Sequence, residues 1–238
     1  MLKHQGQERT YQHNLKLAVL LSTTAGLVNI AGFYSFTIYT TNVTGHVAHF
    51  AKELSEGNFY FAKIIALWML LFFLGAFFSN LISKAITQKS PNLAYTIPIF
   101  IEIILLLCVG YIGEHYDYSI DRDHFLAGCL LFAMGMQNAI VSVVSGFVVR
   151  TTHLTGLFTD LGIELSQLFF SSKNERNELN KKIVLHGSIV LMFILGGIIG
   201  GILHHFIGYK VFILAASVLV VILIYDNMNN VMRFFQNK

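Results

Sequence analysis

The sequence predicts an all-α membrane protein in which six transmembrane helices form two homologous halves of three, inserted in opposite directions. Three observations predict this fold: the composition, six apolar runs and a short motif that occurs twice. Of the 238 residues, 55% are hydrophobic and only 12% are charged, which is too apolar for a chain that must cover a water-facing surface. We therefore expect one membrane domain over residues 1–238, with repeat one at 15–112 and repeat two at 125–225.

The apolar runs define the expected spans. A helix needs about 20 apolar residues to cross the hydrocarbon layer of a bilayer. Six stretches meet or approach that length, and the last is the shortest: 15–37, 61–82, 93–112, 125–149, 183–204 and 211–225. No small-residue cleavage pattern follows the first run, so we expect that run to remain as an anchor.

The repeated motif indicates an internal duplication. Residues 40–45 read Thr-Thr-Asn-Val-Thr-Gly and residues 151–156 read Thr-Thr-His-Leu-Thr-Gly, and residues 70–76 resemble 191–197 downstream. Three spans per copy is an odd number, so the second copy enters the membrane inverted and the two motifs are expected at opposite faces of the bilayer. Inverted repeats are the recurrent architecture of secondary transporters. The alternative is that duplication only builds a six-helix bundle.

Each motif is expected to break a helix, because Thr and Gly are poor in helix interiors and favourable where a helix restarts. We expect Thr44 to cap the new helix and Gly45 to let another backbone approach. The short polar segments that follow either continue beyond the bilayer, lie along its interface or dip back towards its centre, where free amides would face a polar or anionic solute. The candidate pathway residues in the motifs are Thr41, Asn42, Thr44, Gly45, Thr152, Thr155 and Gly156.

Two asparagines within the spans form a matched pair. Aligning residues 25–29 with 134–138 places Asn29 opposite Asn138. Amides at equivalent depths in inverted helices either form hydrogen bonds to a solute in a shared cavity or form hydrogen bonds between helices. The sequence leaves both roles open. We include Asn29, Asn138 and the adjacent Gln137 among the candidate pathway residues.

Glu102 lies in the middle of the third run, where a charged group costs about 2.5–3.5 kcal/mol. A carboxyl that is neutral in the closed bundle and ionised when water reaches it would couple transport to protons; alternatively, it hydrogen-bonds a neighbouring helix. Glu53 and Glu164 occupy matching positions after the two motifs, as do His49 and Asp160. The candidates for proton coupling are Glu102, Glu53, Asp160 and Glu164.

Lysine and arginine are concentrated in the connections on one side of the predicted spans, which predicts that both termini are cytoplasmic. The formal net charge of +3 follows from this bias, so no nucleic-acid partner is expected. No phosphate loop, nucleophile elbow or paired metal-ligand motif occurs, so we expect no enzyme activity, cofactor or metal. The glycine-rich run at 196–201 favours close helix packing, within one chain or across a homodimer.

Residues 41–45, 135–138 and 150–156 resemble the signature of the YoaK family, bacterial membrane proteins catalogued as a domain of unknown function. The resemblance extends over about residues 15–225. It implies a multi-pass protein of the bacterial inner membrane and implies no activity or substrate. Three helices inverted against three also resemble one half of a major facilitator transporter, by analogy of fold alone.

The expected function is therefore a membrane transporter or permease for a small polar or anionic solute, with proton coupling, whose partners are the lipid bilayer and that solute. The alternative is a non-transporting membrane scaffold or assembly subunit. A polar cavity that reaches Asn29, Asn138 and Glu102 favours transport, whereas a dry core with these groups paired favours the scaffold.

Overall fold

The computed structural model describes residues 10–87 and 93–236. Over these ranges the chain forms eight α-helices and no strand. They are α1 (Tyr11–Phe36), α2 (Val43–Ser55), α3 (Phe59–Thr87), α4 (Thr96–His115), α5 (Ile120–Val144), α6 (Leu154–Gln167), α7 (Lys173–Ile207) and α8 (Lys210–Gln236). The termini whose side of the membrane was predicted lie largely outside the described residues.

Five of these helices, α1, α3, α4, α5 and α7, are long and apolar enough to cross a membrane. The sixth predicted span corresponds to the shorter apolar segment Lys210–Ile224 of α8. Large apolar side chains such as Phe77 and Leu81 on α3 and Ile198 on α7 are exposed on the outside of the bundle, as expected for surfaces that face lipid. The chain is therefore a multi-pass helical membrane protein.

Helices α1 and α7 pack most extensively in the molecule, and glycine allows their close approach. A Cβ atom at Gly196 would overlap the carbonyl oxygen of Thr23, and Gly26 lies equally close to the α7 backbone. Further along both helices, Ser35 and His204 are hydrogen-bonded at 2.8 Å. The two helices therefore run in the same direction, and the glycine-rich run packs within the chain.

Helices α3 and α5 form a second parallel pair with the same kind of contact. A Cβ atom at Gly135 would overlap the carbonyl oxygen of Phe72, and Gly75 lies equally close to the α5 backbone. Nearer the start of both helices, Trp68 donates from Nε1 to the carbonyl of His124 at 3.4 Å. Each parallel pair therefore takes one helix from the first half of the chain and one from the second.

Helices α4 and α8 run antiparallel against each other. Gly113 lies under the ring of Tyr209, and Gly110 lies beside Ile213. Helix α4 also packs against α5, and α8 against α1, so this pair closes the side of the bundle core.

The short helices α2 and α6 pack antiparallel against α3 and α7. On α2, the ring of His46 lies 6.2 Å from that of Trp68, and Glu53 near the end of α2 accepts a hydrogen bond from Asn58, directly before α3. The first residues of α2 therefore lie beside the middle of α3. After α1 the chain turns back, and α2 packs along α3. After α5 it turns back again, and α6 packs along α7.

Candidate functional site

The first motif is tied to α1 through Asn29. The side-chain oxygen Oδ1 of Asn29 accepts hydrogen bonds from the backbone nitrogen of Thr41 at 3.1 Å and from its Oγ1 at 3.0 Å. Both residues are buried. Asn29 therefore fixes the segment at 37–42, between α1 and α2, against the helix that precedes it.

The second motif repeats this arrangement. Oδ1 of Asn138 accepts a hydrogen bond from Oγ1 of Thr152 at 3.1 Å. Thr152 belongs to the segment at 145–153, between α5 and α6. The amide oxygens thus tie the motif to the helix, while the amide nitrogens of Asn29 and Asn138 have no hydrogen-bond partner among the described residues.

The start of α2 differs from the sequence-based expectation. Asn42, not Thr44, caps the helix, because its Oδ1 accepts a hydrogen bond from the backbone nitrogen of Gly45 at 3.0 Å. A Cβ atom at Gly45 would meet the Asn42 side chain and not a neighbouring backbone. In the second copy the ring of His153 lies over Gly156 in the same way, without a capping bond. The motif glycine therefore makes room for the capping-position side chain.

Both motifs line one cavity, which we call the central cavity and which has a volume of about 820 Å³. Its lining residues come from both halves of the chain: Asn29, Tyr39, Thr41, Asn42, Val43, Thr44, Met69, Phe72, Phe73, Ala76, Asn138, Ser142, Phe147, Arg150, Thr152, His153, Leu154, Thr155 and Phe193. The expectation that the motifs lie at opposite faces of the bilayer is wrong. Each motif segment turns back against the helices of the bundle, so the two meet along one open cavity, where Thr44, Arg150 and Thr155 are exposed.

The central cavity brings together seven of the ten predicted pathway residues, namely Asn29, Thr41, Asn42, Thr44, Asn138, Thr152 and Thr155. Gly45, Gly156 and Gln137 are not among its lining residues. Gln137 is buried, and neither of its side-chain polar atoms has a partner in the part of the chain that the structure describes.

Arg150 is a lining residue that the sequence reasoning did not identify. It is the one lysine, arginine, aspartate or glutamate among the described residues that line the central cavity, and within those ranges it forms no hydrogen bond or ion pair. The sequence carried a signal for it, because Arg150 directly precedes the second motif where Tyr39 precedes the first. In the sequence it is one of the charges that predict orientation, and it also opens the signature at 150–156.

The four predicted proton-coupling acids do not line the central cavity. Glu102 on α4 is fully buried, and neither carboxyl oxygen has a partner among the described residues. Glu164 contacts His186 of α7 at 3.1 Å, and Asp160 is exposed. The central cavity therefore reaches the two asparagines but not Glu102.

Glu53 is also buried, but it is paired. It accepts a hydrogen bond from Asn58 at 2.7 Å and one from Lys52 at 3.1 Å. The hydrogen bond from the Lys52 ammonium holds the pKa of the Glu53 carboxyl below its usual value. Glu53 is therefore suited to a fixed negative charge at neutral pH.

A second cavity, of about 680 Å³, adjoins the central one and shares Tyr39 and Asn42 with it. Its other lining residues lie near the end of α1 and the starts of α2, α3 and α5: Ser35, Phe36, Thr37, Ile38, Gly45, His46, His49, Phe61, Ile65, Trp68, Tyr118, Ile120, Asp123 and His124. The first motif segment thus separates the two spaces.

Comparison with known proteins identifies a family but no activity. No curated protein and no solved structure matches the chain. A family model described as "Protein of unknown function (DUF1275)" matches residues 17–225, which is consistent with the resemblance to YoaK-type proteins. The chain therefore belongs to the DUF1275 family.

Proposed function

We propose that this protein is a transporter or permease for a small polar or anionic solute, with the central cavity as the solute site. The observation that carries the proposal is that both copies of the motif line one cavity together with Asn29 and Asn138. Ligand pockets typically have volumes of about 300–1,000 Å³ and a few polar groups in apolar walls, and the central cavity, at about 820 Å³, is of this kind.

An anion is favoured by the charge of the site. Arg150 lines the cavity without an ion-pair partner among the described residues. The first residues of α2 and α6, Thr44 and Thr155 among them, also face the cavity, and a helix N-terminus carries partial positive charge. These groups act together on a negatively charged solute.

We further propose that the two halves form a 3+3 inverted repeat, because equivalent residues make equivalent contacts. Gly26 lies against the backbone of Phe193 and Gly135 against that of Phe72, and these residues match in the alignment of the two copies. The hydrogen bond of Thr41 to Asn29 and that of Thr152 to Asn138 also join residues that match in this alignment. Two halves related in this manner can rock about a shared central site.

The second cavity supports an access route on one side of the membrane. It meets the central cavity at Tyr39 and Asn42, so a movement of the first motif segment would join the two spaces. We propose that this side faces away from the cytoplasm, with both termini cytoplasmic in a bacterial inner membrane.

We propose Glu102 as the group that couples transport to protons. An ionised carboxyl buried without a partner is costly, so a movement that brings water to Glu102 would allow it to release a proton. Glu102→Gln is expected to remove the dependence of solute uptake on a pH gradient in reconstituted vesicles, and unchanged coupling would exclude Glu102 from this role.

The proposal requires water to reach the motifs, and cysteine labelling tests this. In a protein whose two cysteines, Cys108 and Cys129, are replaced by alanine, single cysteines are placed at Thr44 and Thr155, which line the central cavity. Both are expected to react with a small, membrane-impermeant thiosulfonate in reconstituted vesicles. Cysteines at Thr40 and Thr151, which are fully buried in the same motifs, are the matched controls and are expected to be protected.

A non-transporting scaffold would give a different result, because a sealed bundle would protect Thr44 and Thr155 as well as the controls. Such protection would overturn the transport proposal. The remaining parts of the proposal are that the protein has no enzyme activity, cofactor or nucleic-acid partner, and that its partners are the bilayer and the solute. A homodimer is compatible with it, and the mass of the purified protein tests that state.

A further inference from the structure

The walls of the central cavity are chemically divided. A polar part is formed by Asn29, Asn138, the motif threonines and Arg150, while an apolar part is formed by Met69, Phe72, Phe73, Phe147 and Phe193. Inorganic anions such as phosphate have no apolar surface to bury. An apolar wall of this extent stabilises a solute only if the solute carries apolar surface, at about 25 cal/mol per Å² removed from water.

The polar part is biased towards an anionic group. Among the described residues that line the cavity there is no aspartate or glutamate, and Arg150 makes no ion pair with another described residue. The planar guanidinium matches a carboxylate with two parallel hydrogen bonds. The amide nitrogens of Asn29 and Asn138 and the hydroxyls of Thr44 and Thr155 provide further donors.

We propose that the solute is an organic anion with an apolar or aromatic body, and that Arg150 is the residue that selects its charged group. This inference rests on the transport proposal and narrows it. The anionic head lies near Arg150, and the body lies against the phenylalanines of α3 and α7. Tyr39, the counterpart of Arg150 in the first half, has no charge, so the two halves differ at the position that sets the charge of the cavity.

Three probes test the two parts of this inference separately. Benzoate carries both a carboxylate and a ring, benzamide keeps the ring and the shape without the charge, and acetate keeps the charge without the ring. Binding to purified protein in detergent is measured by isothermal titration calorimetry and by the rise in apparent Tm, because a ligand that binds the folded state raises its stability. We expect benzoate to bind at least tenfold more tightly than benzamide or acetate.

Variants then assign the charge selection to one residue. Arg150→Gln is expected to weaken benzoate binding by about 10- to 100-fold, because it removes the charge-assisted hydrogen bonds to the carboxylate, and to leave benzamide binding unchanged. Arg150→Lys keeps the charge and is expected to retain part of the affinity. Lys63→Gln removes one positive charge on the exposed surface of α3, outside the central cavity, and is expected to bind all probes like the native protein.

The outcomes separate this inference from the transport proposal. Equal binding of benzoate and benzamide, or benzoate binding that is insensitive to Arg150→Gln, would overturn the role of Arg150. Equal binding of acetate and benzoate would overturn the requirement for an apolar body, and failure of benzoate to bind at all would overturn the inference as a whole. In each of these cases reactive cysteines at Thr44 and Thr155 would still support a transport cavity, whereas protected cysteines would remove both proposals.

Discussion

At the scale of single residues, one asparagine in each half determines where the motif lies. Oδ1 of Asn29 accepts two hydrogen bonds from Thr41, while Oδ1 of Asn138 accepts one from Thr152. Asn29 and Thr41 are buried, so little water is at hand to replace the bonds between them. These amides therefore position the cavity wall, and their nitrogens remain available to a solute.

Replacing Asn29 by alanine is expected to destabilise the protein by about 1–2 kcal/mol, because two buried donors of Thr41 lose their acceptor. Asn138→Ala is expected to cost less, since only the Thr152 hydroxyl loses its acceptor. The measurement is the midpoint of unfolding in detergent. Asn80→Ala, an exposed site on α3, is the control, and an equal effect of Asn80→Ala and Asn29→Ala would contradict this account.

The sequence predicted which residues matter at this scale better than it predicted their partners. Asn29, Asn138, Thr41 and Thr152 were identified because they recur in both copies. The cap was assigned to Thr44, because the sequence does not reveal at which residue the helix begins. Arg150 was overlooked because its charge has an adequate explanation in membrane insertion.

At the scale of helices, the two parallel crossings hold the halves together. The crossing of α1 with α7 and that of α3 with α5 both bring a glycine against a backbone carbonyl. In lipid, helices associate through such close packing and not through a hydrophobic force between them. A side chain at the crossing therefore acts directly on the association of the halves.

Gly135→Ala is expected to lower the stability of the folded bundle by about 1–3 kcal/mol, because the new methyl group would overlap the carbonyl of Phe72 and force the helices apart. Gly26→Ala is expected to have a similar effect at the other crossing. Gly187→Ala on α7 is the matched control, because nothing lies within 4 Å of a Cβ atom there. Unfolding midpoints in detergent that fall equally for all three variants would show that the crossings have no special role.

The paths of α2 and α6 illustrate what sequence cannot decide at this scale. Helical breaks near both motifs were expected, but three courses for the following segments were left open. The course is decided by contacts distant in sequence, such as the ring of His46 on that of Trp68 and the carboxyl of Glu164 on His186. The helix propensity of these segments is the same whether they continue beyond the bilayer, lie along its interface or return towards its centre, so it cannot decide between these courses.

At the scale of the whole molecule, the helices of each half pack mainly against helices of the other half. Each parallel pair contains one helix from each half, so the cavity between the pairs is lined by both motifs. The membrane class was readable from the composition, and the recurring motif predicts a duplication. The meeting of the motifs was not readable, because an odd number of spans fixes direction but does not fix how deep a connecting segment returns into the bundle.

The central claim is that the two motifs meet in one cavity, and cross-linking between them tests it most directly. Cysteines are placed together at Thr44 and Thr155 in the protein without Cys108 and Cys129, and a protease site is inserted after Asp117, in the exposed connection between α4 and α5. A short bifunctional thiosulfonate is added before cleavage, and the fragments are separated by denaturing electrophoresis. We expect the two halves to remain joined until a reductant is added, and cysteines that are each modified while the halves separate would contradict the account.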